Sequence, residues 1–225
     1  MNLLAIETST ELGSIALWCD GAVTRRACPA GVSHSETLLP LIRATMREAG
    51  LGFADLNAVA FAAGPGSFTG LRVACGVAQG LAFAHDLPVI PVGTLDAMAL
   101  ASGGEQVIVA LDARMGEVYY GCYAAARLLG PVGVYHPSAV PIPDSSGWLA
   151  CGNGLAAYAA LRERLSGCVQ EWQPERMPDA GSVAILAASW LARGETVDVA
   201  EAVPLYVRDK VALTVAERLA KGGKA

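Results

Sequence analysis

Charge is scarce in this chain: Asp, Glu, Lys and Arg together make up 16% of its 225 residues, and the net charge is −5. A sparse, slightly acidic charge set offers no overall basic surface for nucleic acid, so an RNA contact would have to be local or made by another protein. Histidine is nearly absent as well. His34, His85 and His136 lie too far apart to form a two-histidine metal site on one helix. The six cysteines (Cys19, Cys28, Cys75, Cys122, Cys151 and Cys168) contain no C-x-x-C pair, which argues against both a zinc ribbon and a disulfide scaffold and leaves them most simply as reduced core residues. No uninterrupted apolar run approaches the roughly 18 residues of a membrane-spanning helix. The longest uncharged stretches, such as residues 145–161, are broken by Gly and Asn. No basic region precedes the apolar LLAI at the N-terminus and Glu7 soon interrupts it, so no signal peptide is read there; no membrane contact and a cytoplasmic location are expected.

What is abundant is apolar: 53% of the residues. That fraction must be buried in protein, the chain's own or a partner's. Near the N-terminus LLAIETS (3–9), SIALW (14–18) and AVTRRA (22–27) read as an antiparallel meander with turns at Leu12-Gly13 and Asp20-Gly21. SHSE (33–36) fits a capping box before LLPLIRATMREAG, which Gly50 should stop and Pro40 should kink. A small-apolar strand at 58–62, a helix at 69–85 and a strand at 88–92 predict a parallel pair with a right-handed crossover, followed by a short helix at 94–102. From Gly103-Gly104 the scheme recurs loosely: a strand at 107–114, a turn at Met115-Gly116, strands at 117–125 and from Trp148, and a helix at 155–165. In both halves an acid ends the first strand (Glu7, Asp112), and a later strand ends in G-x-G before a helix. This reads as a degenerate internal duplication, residues 1–102 and 103–225. The remainder, including a helix at 182–192, reads only as α/β, and AERLAKGGKA as a frayed C-terminal helix and tail.

The stretch GPGSFTGLR (64–72) sits where many proteins bind phosphate, but it lacks the Lys-Ser/Thr pair of a P-loop. Thr69 occupies the third glycine position of a Rossmann fingerprint, and Pro65 and Thr69 replace the glycines of a nucleophile elbow. Two readings survive: an anion site at a helix N-terminus capped by Ser67 or Thr69, or a tight corner, which is the commoner outcome for such turns. The helix that follows is apolar nearly all round, with a small-residue track at Gly70, Ala74, Ala78 and Ala82. Its companion (Leu38, Leu39, Leu41, Ile42, Met46) is similarly over-supplied, so either a crowded core or a partner surface would account for them. Glu7 and Asp112 could hold magnesium between two halves or be solvated strand ends.

LLAIETST, GPGSFTGLRVACGVAQGLA, LPVIPVGTLDAMA, LDARMGEVYY and AVPLYVR together resemble the bacterial TsaB (YeaZ) family through almost the whole chain. The resemblance implies an actin/hexokinase-like ATPase superfamily fold, two RNase H-like halves each with a mixed sheet flanked by helices. It implies a non-catalytic scaffold in forming threonylcarbamoyladenosine next to the anticodon of tRNAs that read codons starting with A. The partners it implies are the paralogue TsaD, which carries the metal, and the ATPase TsaE; the acidity of this chain makes TsaD the expected site of most tRNA contact. Alone, the chain is expected to pair with a second copy. Where TsaD-like sequences place metal-binding histidines, PVGTLDAM has Thr94 and Met98, neither a good iron or zinc ligand. GPGSFTGLR then becomes a corner that launches an interface helix. From helix pattern the expected contacts are Leu38, Ile42, Thr45, Met46, Arg72, Val73, Val77 and Gln79. No cofactor is expected to be required by this chain, with ATP or ADP expected only at the complex junction and Glu7, Asp112, Gly64 and Gly66 as a vestigial nucleotide and magnesium cleft. The competing expectation is an ATP/Mg-dependent phosphotransferase using that cleft. Its weakness is that both G-x-G corners lack a nearby Lys.

Overall fold

In a computed structural model, which describes residues 1–208, the chain forms two five-stranded mixed sheets. The first holds β1 (Asn2–Glu7), β2 (Ser14–Cys19), β3 (Ala22–Ala27), β4 (Ala58–Gly64) and β5 (Val89–Gly93) in the order β3-β2-β1-β4-β5. β1, β2 and β3 pair antiparallel, while β4 runs parallel to β1 and β5 parallel to β4. The second holds β6 (Gln106–Asp112), β7 (Val118–Ala124), β8 (Arg127–Tyr135), β9 (Trp148–Cys151) and β10 (Val169–Gln173) in the order β8-β7-β6-β9-β10 with the same directions. The duplication is therefore present strand for strand, as the two RNase H-like units of the actin/hexokinase-like ATPase fold.

Two of these strands are not legible in the sequence. β8, RLLGPVGVY, carries two glycines and Pro131, which a strand tolerates at a sheet edge, and its pairing with β7 shifts register after Tyr120. β10, VQEWQ, is a short polar edge strand with a register shift of its own. The helix read at 155–165 is two helices, α4 (Gly154–Ala157) and α5 (Ala159–Leu165), because Tyr158 adopts an extended backbone (φ −130°, ψ 106°).

The remaining helices are α1 (His34–Glu48), α2 (Phe68–His85), α3 (Thr94–Ser102) and α6 (Ala180–Ala192). α1 runs through Pro40 without a break. It is not opened by the expected capping box, since the Ser33 hydroxyl meets Ser35 Oγ (2.8 Å) instead of a helix amide. It ends as read: the amides of Gly50 and Leu51 donate to the carbonyls of Arg47 and Met46, with Gly50 at φ +70°.

Helices, but not strands, are exchanged between the halves. α1 and α2 cover one face of the first sheet, packing Leu38, Ile42, Met46, Ala74 and Ala78 on Leu4, Ile6, Ile15 and Phe61. The other face is covered by α6 from the far end of the chain. There Val183, Ala184 and Ala187 meet Leu3, Ala5, Ala16, Ala58 and Ala60, a small-on-small contact that lets the helix lie close to the strands. Conversely α3, which follows the first sheet, packs Leu95, Met98 and Ala99 on Val107, Val109, Tyr123 and Leu149 of the second. α3 and α6 also touch each other. A division at residue 102 thus separates the strands but not the helices, and α6 packs with the first sheet. The N-terminus of α6 is fixed by the buried Ser14 hydroxyl, which accepts from the Ala180 amide (3.0 Å). The tail AERLAKGGKA lies outside the described residues.

Candidate functional site

The two units face each other across a cleft of about 780 Å³. Its walls are the turn after β1, the N-termini of α1 and α2, the β6–β7 turn, Asn153 and residues 205–208. GPGSFTGLR forms one wall, and its glycines answer a steric demand. A Cβ on Gly66 would lie 2.5 Å from Ser9 Cβ, and one on Gly70 only 1.8 Å from the Thr8 carbonyl oxygen. The turn after β1 is thus pressed onto the first turn of α2, and polar bonds hold it there. The Ser67 amide donates to the Ser9 carbonyl (2.7 Å) and Thr8 Oγ1 donates to the Gly70 carbonyl (2.8 Å). Ser67 is the helix cap, its Oγ accepting from the Gly70 amide (3.3 Å). Two of the amides that would receive an anion are therefore engaged, and the stretch is a corner.

The two acids do not share a setting. Glu7 is fully buried behind that turn, neither lining the cleft nor solvated as a strand end would be. Burial pushes its carboxyl up to about 7 against the opposing hydrogen bonds from Ser9, and the nearby Asp179 carboxylate adds to the rise. One carboxyl oxygen accepts the Ser9 amide, and the other has no partner. Asp112 does line the cleft, but its carboxylate already accepts from the Tyr158 hydroxyl (2.7 Å) and the Arg114 amide (2.8 Å) and pairs with the Arg114 guanidinium (3.3 Å). Gly66 lines the wall. Gly64 instead lies under Leu205, where an added Cβ would meet the Leu205 carbonyl at 2.7 Å.

These residues do not fit a magnesium nucleotide. The buried acid holds its proton to about pH 7, and a protonated carboxyl is a poor magnesium ligand. Arg114 and Arg208, the arginines that line the cleft among the described residues, are paired with Asp112 and Glu117. Thr94 and Met98 are buried in and beneath α3, and no group of three or more His, Cys, Asp or Glu side chains among the described residues is placed to hold a metal ion.

The outward faces of α1 and α2 are not those expected from helix pattern. Leu38, Ile42, Thr45 and Met46 are buried against the first sheet, so they are core residues and cannot be partner contacts in this conformation. The small track Gly70, Ala74, Ala78 and Ala82 is likewise buried. Its role is to let α2 sit on β4. Val73 and Val77 are half-buried at the margin of the core. Arg72 and Gln79 are engaged within the chain: Arg72 Nε donates to the Tyr206 hydroxyl (3.0 Å), and Gln79 Nε2 donates to the Ala202 carbonyl (2.8 Å). What α2 presents to solvent is a second small pair, Gly76 and Gly80, where an added Cβ would meet nothing within 4 Å, with Phe83 81% exposed beyond them. This pair starts two residues from the inward track, about 200° around the helix. The signal was in the sequence: a mid-helix glycine with no inward duty needs a reason to be there.

The tRNA threonylcarbamoyladenosine biosynthesis protein TsaB of Escherichia coli (strain K12) is 37% identical to this chain over 94% of its length and 96% of that protein's. The chain belongs to the TsaB family. A Haemophilus influenzae protein of the same description is 35% identical over 94% of this chain and 95% of its own length. The solved structure of YeaZ from Pseudomonas aeruginosa matches at 38% identity with a TM-score of 0.82, covering 92% of this chain and 100% of that one. Residues 29–130 also match the family model described as TsaD, tRNA N6-adenosine threonylcarbamoyltransferase. That span runs from just before α1 into β8 and includes both helices of the outward face.

Proposed function

We propose that the chain is a non-catalytic scaffold of the machinery that forms threonylcarbamoyladenosine in tRNA, and that it holds a TsaD-type paralogue through the outward face of α2. The observation that carries this reading is the exposed stripe of Gly76, Gly80 and Phe83. Each mid-helix glycine costs about 1 kcal/mol relative to alanine. The fold gains nothing from either, because the space beyond them is empty. A helix laid across this stripe could approach closely and cover Phe83.

The partner is argued from kinship. A TsaD family model matches the region containing both helices, so a TsaD-type protein is expected to carry equivalent helices. Two related surfaces can then meet about a pseudo-twofold axis, and the same geometry lets the isolated chain pair with a second copy. The net charge of −5 leaves most of the tRNA contact to the partner. TsaE completes the assembly as the ATPase. A nucleotide at the junction of the two paralogues would be held mainly by partner residues, given the poor fit of this chain's cleft. Cytoplasmic action accords with a tRNA substrate, and no helix among the described residues is long and apolar enough to cross a membrane.

Light scattering coupled to size-exclusion chromatography tests the proposal, with the protein alone and mixed with the TsaD-type protein of the same organism. A heterodimer for wild type and separate species for Phe83→Glu support it. Failure of the wild type to bind the paralogue refutes it.

A further inference from the structure

The chain after α6 returns along the first unit and reaches the second at Arg208. Val197 exchanges backbone hydrogen bonds with Val89 of β5 (3.1 and 2.9 Å). Further on, the Ala202 carbonyl accepts from Gln79 Nε2 (2.8 Å) and Cys75 Sγ (3.2 Å) of α2. The Leu205 amide donates to the Ala63 carbonyl at the end of β4 (2.7 Å). The Tyr206 ring stands 5.4 Å from the Phe68 ring, and the Arg72 guanidinium lies 4.0 Å over Phe68 while its Nε donates to the Tyr206 hydroxyl. Two residues later Arg208 pairs with Glu117 on the β6–β7 turn of the second unit. Residues 205–208 all line the cleft.

We propose that residues 202–208 form a latch across the cleft mouth, coupling the first turns of α2 to the β6–β7 turn so that release of either end loosens the other. The geometry separates a latch from an ordinary packed segment. Ala202 is buried in the core, but beyond it Val203, Leu205 and Tyr206 are all exposed, so apolar burial holds residues 203–208 weakly. The attachments are a few discrete polar and aromatic contacts, and a segment held in this way opens as a local unit well below the free energy of global unfolding. Its two ends lie on different units of the fold, so its opening changes the freedom of both cleft walls. Arg72 is exposed on α2, which places one anchor within reach of anything that binds there. The latch itself requires no partner and does not rest on the scaffold reading.

Hydrogen exchange read by mass spectrometry on the full chain tests the coupling. Arg208→Gln removes the anchor on the second unit. It is expected to speed exchange of the Leu205 amide and of the 66–71 segment by about fivefold, the factor that a contact of about 1 kcal/mol supplies. Arg72→Leu removes the anchor on α2 and is expected to speed exchange at Ala113 and Glu117, whose amides close the β6–β7 turn. Should Arg208→Gln fail to fold, Glu117→Gln removes the same ion pair from its other side. Acceleration confined to the substituted end in folded variants, by circular dichroism, overturns the proposal.

Discussion

Three glycines in one helix, Gly70, Gly76 and Gly80 of α2, should respond to alanine with opposite signs, although helix propensity alone treats them alike. A Cβ on Gly70 would stand 1.8 Å from the Thr8 carbonyl oxygen, against the 3.4 Å at which ordinary contact begins, so about 1.6 Å must be found. The obstacle is backbone, and that backbone is tied by Thr8 Oγ1 to the Gly70 carbonyl and by the Ser9 carbonyl to the Ser67 amide. Over-packing of this kind costs about 3 kcal/mol, at the upper end of the usual range, and outweighs the at most ~1 kcal/mol that alanine adds to a helix. Gly76→Ala and Gly80→Ala meet nothing within 4 Å and should each stabilise by roughly 0.5–1 kcal/mol. In a chain of this size 1 kcal/mol moves Tm by about 2–4 °C. Gly70→Ala should therefore melt roughly 5–10 °C lower than wild type, and the Gly76→Ala/Gly80→Ala double variant a few degrees higher. Urea denaturation with calorimetry reads both, and an unchanged m-value confirms that stability is what moved. A Gly70→Ala protein as stable as wild type, or loss of stability at Gly76 matching that at Gly70, would refute the reasoning.

Two further perturbations probe the scaffold of the site. Folded Glu7 keeps its proton to about pH 7, whereas an unfolded glutamate releases it near 4.5, so the folded state binds the extra proton between those values. Its stabilising contribution is fully present below pH 4.5, declines as pH rises toward 7 and is lost above, a span of roughly 3 kcal/mol. Glu7→Gln should flatten this dependence in urea titrations between pH 5 and 8, and an unchanged pH slope would contradict the assignment. Ser14→Ala removes the acceptor for the buried Ala180 amide, so it should destabilise by about 1–3 kcal/mol and speed exchange at the start of α6. Exchange there equal to wild type would show that α6 does not depend on that bond.

The meander of β1 to β3, the β4-α2-β5 crossover and α3 were legible because each shows one clear period bounded by turn residues. β8 and β10 were not, because an edge strand needs neither alternation nor freedom from proline. The exchange of α3 and α6 between sheets was hidden for a different reason: a helix's apolar stripe does not state which sheet it will cover, and here each helix packs on the sheet of the other half. The same limit applies to which face of a helix turns outward. In α1 and α2 the large apolar residues Leu38, Ile42 and Met46 and the small track from Gly70 to Ala82 all turned inward. The outward face is marked by what is missing, the side chains of Gly76 and Gly80. Glu7 does end β1, but its burial, which keeps it out of the cleft, depends on how the turn after β1 folds back onto α2, which residue spacing does not encode.

The most direct test of the scaffold account is calorimetric titration of the TsaD-type paralogue into wild type and Gly76→Gln. Glutamine is a good helix former and Gly76 faces open space, so the variant should fold at least as stably as wild type while its side chain holds an approaching helix away. The account predicts binding by wild type and a loss of at least about tenfold in affinity, roughly 1.4 kcal/mol, for the variant. Equal affinity of the two would place the contact elsewhere on the molecule and contradict the account.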